Sequence, residues 1–217
     1  MNFEHARYNM VEQQIRPWEV TSQAVRELLM TVRREDYVPE ASKALAFADI
    51  EVPLPHARTM LKPVLEGRIL QALALTSEDS VLEIGTGSGY FAALLAAGAA
   101  WVRTVEIESE LVKLAQANLA RSGVKNVIVE EGDGKEGSAA HAPYDAIVIS
   151  GGMFELPDVL LEQLKPDGRL FAFVGEPPAM KARLVVRKDD NRFHHTDLFE
   201  TVVPLLEHVP SRGEFTF

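Results

Sequence analysis

The chain has 217 residues, with 22 basic against 32 acidic side chains and a formal net charge of −10. That balance argues against a general nucleic-acid binder, which needs a positive footprint, and against an anionic membrane surface. Cysteine is absent, which removes disulfides, thiolate metal sites and a cysteine nucleophile together.

Hydrophobic residues make up 47% of the chain, enough for a full core. No run approaches the roughly 18 uninterrupted apolar residues of a membrane helix. Residues 1–17 carry scattered charges and no apolar stretch of signal-peptide type, so a cytoplasmic protein is expected. The length suits one domain over 1–217, with 1–75 as an N-terminal extension and 76–217 as an α/β core.

Residues 4–34 read as two helices separated by Arg16-Pro17-Trp18, and Val25, Leu28, Leu29 and Val32 give the second an apolar face. Residues 36–63 carry Pro39, Pro53, Pro55 and Pro63 and read as a long irregular loop. A helical pattern follows over 64–75. Strands and helices then alternate: strand 80–84, helix 90–97 stopped by Gly98, strand 101–107. The next helix is expected to be capped by Ser109, to face inward with Leu111, Leu114, Ala115 and Leu119, and to end at Gly123. Strands 127–130 and 145–150, a helix over 157–164 and a strand over 170–174 complete the alternation. This is the signature of βαβ units and a mostly parallel sheet. The tail reads as a hairpin, strands 182–188 and 193–203 about the turn Asp189-Asp190-Asn191, closing one sheet edge with antiparallel strands.

The most informative motif is Gly85-Thr86-Gly87-Ser88-Gly89, placed where the buried strand Val81-Leu82-Glu83-Ile84 turns into a helix. Glycines there let the backbone approach a ligand, and the helix start offers unpaired N–H groups. A dinucleotide site expects G-x-G-x-x-G, but Tyr90 occupies the third glycine position. No phosphate-gripping Lys-Ser or Lys-Thr follows. Glu83, two residues before the first glycine, could accept a hydrogen bond from a cationic amino-acid ligand, directly or through water. Glu106, about 20 residues beyond Gly85 at the end of the next strand and followed by Ile107, is placed to bind both hydroxyls of a ribose. Asp133, between Gly132 and Gly134 past the third strand, can accept an adenine amino proton. Together these residues describe a Rossmann-like class I methyltransferase that binds S-adenosylmethionine. No residue cluster has metal-ligand spacing: His194 and His195 are adjacent on a strand and face opposite ways, and His56 stands alone.

Beyond this class, the chain resembles the protein-L-isoaspartate O-methyltransferases along nearly its whole length. Met10-Val11-x-x-Gln14-Ile15 resembles the family's N-terminal helix. The run Val32-Arg33-Arg34-Glu35-Asp36-Tyr37-Val38-Pro39 is similar to its Val-Pro-Arg-Glu-x-Phe-Val-Pro stretch. Ala48-Asp49 and Pro53-Leu54-Pro55 resemble the approach to its substrate loop. Leu82 to Tyr90 matches its cofactor loop, tyrosine included, and Gly132-Asp133-Gly134 with Ala142-Pro143-Tyr144-Asp145 is also characteristic. The resemblance implies a seven-stranded sheet with added N-terminal helices, and cofactor contacts at Glu83, Gly85, Glu106 and Asp133. It also implies proteins or peptides with isoaspartyl residues as substrates: their α-carboxylate is methylated, and the ester cyclises to a succinimide that reopens toward aspartate.

The departures lie on the acceptor side. Where the family reads Gly-Gln-Thr-Ile-Ser-x-Pro, this chain reads Ala57-Arg58-Thr59-Met60-Leu61-Lys62-Pro63, so Leu61 stands at the family's serine. Leucine cannot donate a hydrogen bond to the acceptor. Ile149-Ser150-Gly151-Gly152 replaces Val-Thr-Ala-Ala and is expected to enlarge the pocket. Thr59, Leu61 and Ser150 are therefore the candidate acceptor-side residues, and Arg58 and Lys62 are new cations beside them. Three other readings remain: a methyltransferase with another carboxylate or small-molecule acceptor, a protein that binds S-adenosylmethionine without turnover, and an NAD-linked oxidoreductase, which the missing third glycine disfavours.

Overall fold

A computed structural model describes residues 2–188 and 192–209; the expected turn at 189–191 lies outside the described residues. Helix α1 (Phe3–Asn9) starts at Asn2, whose side chain accepts the His5 N–H at 3.1 Å. It runs on into a wider π-helical turn, Met10–Ile15, that buries Met10, Val11 and Ile15. The break comes at Arg16-Pro17-Trp18 as expected, a tight turn closed by Glu19 at φ +67°. Ser22 then caps α2 (Gln23–Thr31), which buries Val25 and Leu29.

The proline-rich loop is mostly irregular, but it contains one small ribbon. Strands β1 (Val52–Pro53) and β2 (Thr59–Met60) pair antiparallel, with Val52 opposite Met60. Pro63 opens α3 (Pro63–Leu73), where its missing N–H costs nothing.

Strands β3 (Ser80–Ile84), β4 (Trp101–Glu106), β5 (Val127–Glu131), β6 (Tyr144–Met153), β7 (Leu164–Val174), β8 (Met180–Arg187) and β9 (Phe193–Thr201) form the main sheet. Their order is β5-β4-β3-β6-β7-β8-β9. The first five are parallel, and β8 runs antiparallel to both neighbours, as the hairpin reading requires. Helices α4 (Tyr90–Gly98) and α5 (Ser109–Arg121) make the first crossovers and α6 (Asp158–Glu162) the last. The strand order reverses between β3 and β6, and a crevice opens at such a switch point.

Period-two alternation divides the core. Val81, Val102, Val148, Phe171 and Phe173 face one way, into a cluster shared with α2–α5 and the N-terminal turns. Leu82, Ile84, Ile147, Ile149 and Leu170 face the other way, onto Leu160 and Leu161 of α6.

Three boundary expectations are corrected. Ser109 is the first residue of α5, not its cap. Glu108 holds the cap position in an extended conformation with no side-chain capping bond, and donates its own N–H to Glu106 Oε1 at 3.1 Å. Strand β7 begins at Leu164, well before 170, with a register shift near its start. The α6 helix is accordingly shorter than 157–164. No helix among the described residues is long and apolar enough to cross a membrane.

Candidate cofactor and acceptor site

The C-terminal ends of β3, β4, β5 and β6 converge on an open cleft. Thr59, Leu61, Gly85, Gly87, Glu106, Ile107, Gly132, Asp133, Gly134 and Ser150 all line it. Thr86 and Ser88 line a smaller adjoining chamber instead. Glu83 and Gly89 line neither.

The glycines are required by backbone shape. Gly85, Gly87 and Gly89 have φ of +93°, +55° and +81°, a left-handed region that costs an L side chain about 1–2 kcal/mol. A Cβ on Gly89 would also sit 3.2 Å from the Ala115 Cα, so this glycine lets α4 pack on α5 rather than touching a ligand.

Glu106 is held by backbone amides. Gly87 N–H donates to Oε2 at 2.9 Å and Glu108 N–H to Oε1 at 3.1 Å. A carboxylate has about four acceptor positions, so two remain for a diol, and the side chain is already oriented. Asp133 accepts the Lys135 N–H at 3.1 Å and meets His208 Nδ1 at 3.1 Å. Burial pushes its carboxyl up, but these bonds and the Lys135 charge outweigh that and hold it below the ordinary range.

Glu83 lies beneath the cleft floor, fully buried. Thr86 donates to Thr104 at 2.6 Å, and Thr104 donates to Glu83 Oε2 at 2.6 Å. Ser150 Oγ donates to Glu83 Oε1 at 3.2 Å. Burial pushes the carboxyl up to about 8, against the lowering by the two hydroxyls and with a further rise from Glu106 and Glu66. Glu83 thus orients Thr104 and Ser150 from beneath the floor and does not itself line the cleft.

Thr59, Leu61 and Ser150, the candidate acceptor-side residues, come together in the cleft lining. Leu61 is largely buried, and its carbonyl accepts Arg34 Nη2 at 2.7 Å. Gly151 lines the cleft, but the space expected from the two glycines is taken up by neighbouring side chains. A Cβ at Gly151 would meet Leu206 Cδ2 at 2.6 Å, and one at Gly152 would meet Met180 Cε at 2.3 Å. The missing side chains instead seat the segment Pro204–Leu206 on β6: Gly152 N–H donates to the Pro204 carbonyl at 2.8 Å and Leu206 N–H to the Gly152 carbonyl at 2.9 Å.

That segment is a cleft wall that sequence reading missed: Pro204, Leu205, Leu206 and Glu207 all line it. Arg58, from the turn between β1 and β2, also lines the cleft and pairs with Glu207, with Glu108 at 3.5 Å. His56 meets Glu110 at 2.9 Å. Lys62 precedes α3 and lies outside the cleft. No group of three or more metal-ligating side chains occurs among the described residues.

A parallel sheet with a left-handed glycine loop after its first long strand, an oriented acid after the second and another after the third defines a class I methyltransferase, the enzymes that take their methyl group from S-adenosylmethionine. The family model of the protein-L-isoaspartate(D-aspartate) O-methyltransferases matches residues 5–209, and the chain belongs to that family. It is 38% identical over 201 residues to a protein-L-isoaspartate O-methyltransferase of Koribacter versatilis, covering 92% of this chain and 90% of the relative. It is 42% identical over 166 residues to one of Gloeobacter violaceus, covering 76% and 81%. Among solved structures, a protein-L-isoaspartate O-methyltransferase superposes with a TM-score of 0.80 at 25% identity over 92% of this chain, which spans 65% of that longer chain. A putative one from Plasmodium falciparum, in complex with S-adenosyl-L-homocysteine, shares the fold with a TM-score of 0.79 at 19% identity, covering 95% of this chain and 99% of its own.

Proposed function

We propose that this chain methylates the α-carboxylate of isoaspartyl residues in damaged cytoplasmic proteins and peptides, with the nucleoside of the donor held by Glu106 and Asp133. The observation that carries the reading is the convergence of both acids and the glycine loop on one cleft that also holds Thr59, Leu61 and Ser150. An acidic, glycine-floored cleft suits a donor that is cationic at sulfur and carries a diol and an amino-purine.

S-adenosylmethionine supplies an electrophilic methyl: the acceptor oxygen bonds to it, the carbon–sulfur bond breaks, and the electron pair returns to sulfur as a neutral thioether. The residues of the chain act by positioning, the main requirement of an in-line transfer. Glu106, fixed by two amides, offers its free lone pairs to the ribose hydroxyls, and Asp133 accepts from the adenine amino group. Ser150, itself held by Glu83, and Thr59 are the hydroxyls nearest the acceptor side, where Leu61 adds an apolar wall. With Leu61 there, orientation of the carboxylate falls to its neighbours.

The test is transfer of labelled methyl from S-adenosylmethionine to an isoaspartyl peptide, beside its aspartyl twin. Label on the isoaspartyl peptide alone is expected. Label only on small carboxylates would transfer the reading to a small-molecule methyltransferase, and bound donor with no label anywhere would mean binding without turnover.

A further inference from the structure

The segment that carries Thr59 and Leu61 has little hold of its own. Strand β2 pairs only with β1, over two residue pairs, and neither strand joins the main sheet. A two-stranded ribbon is marginal even at greater length. β2 ends at Met60 and α3 opens at Pro63, so Leu61 lies between them, outside both elements. A carbonyl in so buried a place needs a donor. The donor is Arg34 Nη2, at 2.7 Å.

Arg34 stands on the short turn Arg34–Asp36 after α2 and is fully buried. Its Nη1 donates to Glu66 Oε2 in the first turn of α3. Burial raises the Glu66 carboxyl to about 7, and Oε2 can accept from Arg34 in either charge state. The guanidinium lies over the Tyr90 ring, 4.9 Å from its centroid. Glu66 and Tyr90 thus fix the plane of the group, and that plane aims Nη2 at Leu61. A guanidinium presents its donors as a rigid fork, whereas an ammonium is a point charge on a flexible stem. Stability alone does not call for such an arrangement. A buried Arg–Glu pair carries a desolvation cost, and well-packed apolar side chains of similar volume often serve as well or better. Apolar side chains cannot, however, donate to a backbone carbonyl.

We infer that Arg34 is a positioning residue for methyl transfer: from inside the core it holds the Leu61 backbone, and so sets where the acceptor wall of the cleft stands. The inference rests on the proposed reaction at the side lined by Thr59, Leu61 and Ser150. In-line transfer depends on the distance and angle between acceptor oxygen and methyl. A wall that hangs from a two-pair ribbon does not define that distance; a wall tied through one planar group to α3 does.

Kinetics with an isoaspartyl peptide, beside calorimetric titration with S-adenosylhomocysteine, separate positioning from mere support of the fold. Both are run at a temperature where parent and variant are fully folded. Arg34→Lys should lower kcat/KM for the peptide by roughly tenfold or more and leave S-adenosylhomocysteine affinity within about threefold. A lower thermal midpoint with unchanged peptide kinetics overturns the inference, as does equal weakening toward peptide and S-adenosylhomocysteine. A backbone change asks the same question with Arg34 and Glu66 left in place. An ester in place of the Leu61–Lys62 amide, made by incorporating the α-hydroxy acid of lysine at 62, weakens the Leu61 carbonyl as an acceptor. It should lower kcat/KM for the peptide by roughly threefold and spare S-adenosylhomocysteine. No loss with the ester overturns the inference, and the ester decides alone if Arg34→Lys does not fold. If the parent itself methylates no isoaspartyl peptide, the proposed function is wrong and the inference falls with it, a result distinct from an active parent whose variants are unimpaired.

Discussion

At the scale of single residues, the site depends on which polar atoms are already occupied. Glu106 and Glu83 are both acids at strand ends, yet their partners differ in kind. Backbone amides hold Glu106 and leave it open to the cleft, whereas hydroxyls hold Glu83 below the floor. Leu61 is the residue where chemistry departs from the family pattern. It lines the cleft with Thr59 and Ser150, at the proposed acceptor side, and its side chain donates nothing. Leu61→Ser should restore one hydrogen bond to the acceptor, worth about 0.5–1.5 kcal/mol, or roughly two- to tenfold in kcat/KM for an isoaspartyl peptide. Steady-state kinetics with the peptide varied would measure it. An unchanged or lower value would show that Ser150 and Thr59 already satisfy the carboxylate.

At the scale of elements, β6 does two things. Its Ser150 and Gly151 line the cleft, and its Gly152 carries the segment Pro204–Leu206. Removing side chains here admits Leu206, Leu205 and Met180. Gly151→Val should push Leu206 off β6 and destabilise the protein by about 1–3 kcal/mol, the usual cost of overpacking. Because Leu206 and Glu207 line the cleft, S-adenosylhomocysteine should bind more weakly in the same variant. Urea unfolding and calorimetry would read the two effects. Full stability together with full affinity would mean the segment is not held as described.

At the scale of the molecule, a buried carboxyl couples folding to pH. Glu83 rises from 4.5 to about 8 on burial. Its folded pKa lies above its unfolded one, so the folded state binds the extra proton between those values. Stability is then greatest below about pH 4.5 as far as this group is concerned, and falls as pH rises toward 8. Glu83→Gln keeps the shape without the charge. It should flatten the decline in thermal midpoint between pH 5 and 8 and be the more stable protein at pH 8. A slope identical to that of the parent would mean that Glu83 is already ionised in the folded chain.

The order of elements and the location of the cleft were legible in sequence because they depend on local signals. Period-two and helical hydrophobicity placed the strands and crossovers, and three alternating glycines after a buried strand marked the turn where backbone can approach a ligand. Glu106 and Asp133 followed from their distance past that turn, since a parallel sheet aligns successive strand ends. What remained hidden depends on contacts between distant segments. Glu66 read as an unremarked helix position and Tyr90 as a missing glycine, and only the packing of α3 against the glycine loop puts both in one chamber. Gly151 and Gly152 suggested space, and only the return of the chain at Pro204 fills it. Local pattern determines which face of an element is buried. Which polar atoms stay unpaired after burial is decided by the neighbours that tertiary structure supplies, and on those atoms binding and catalysis depend.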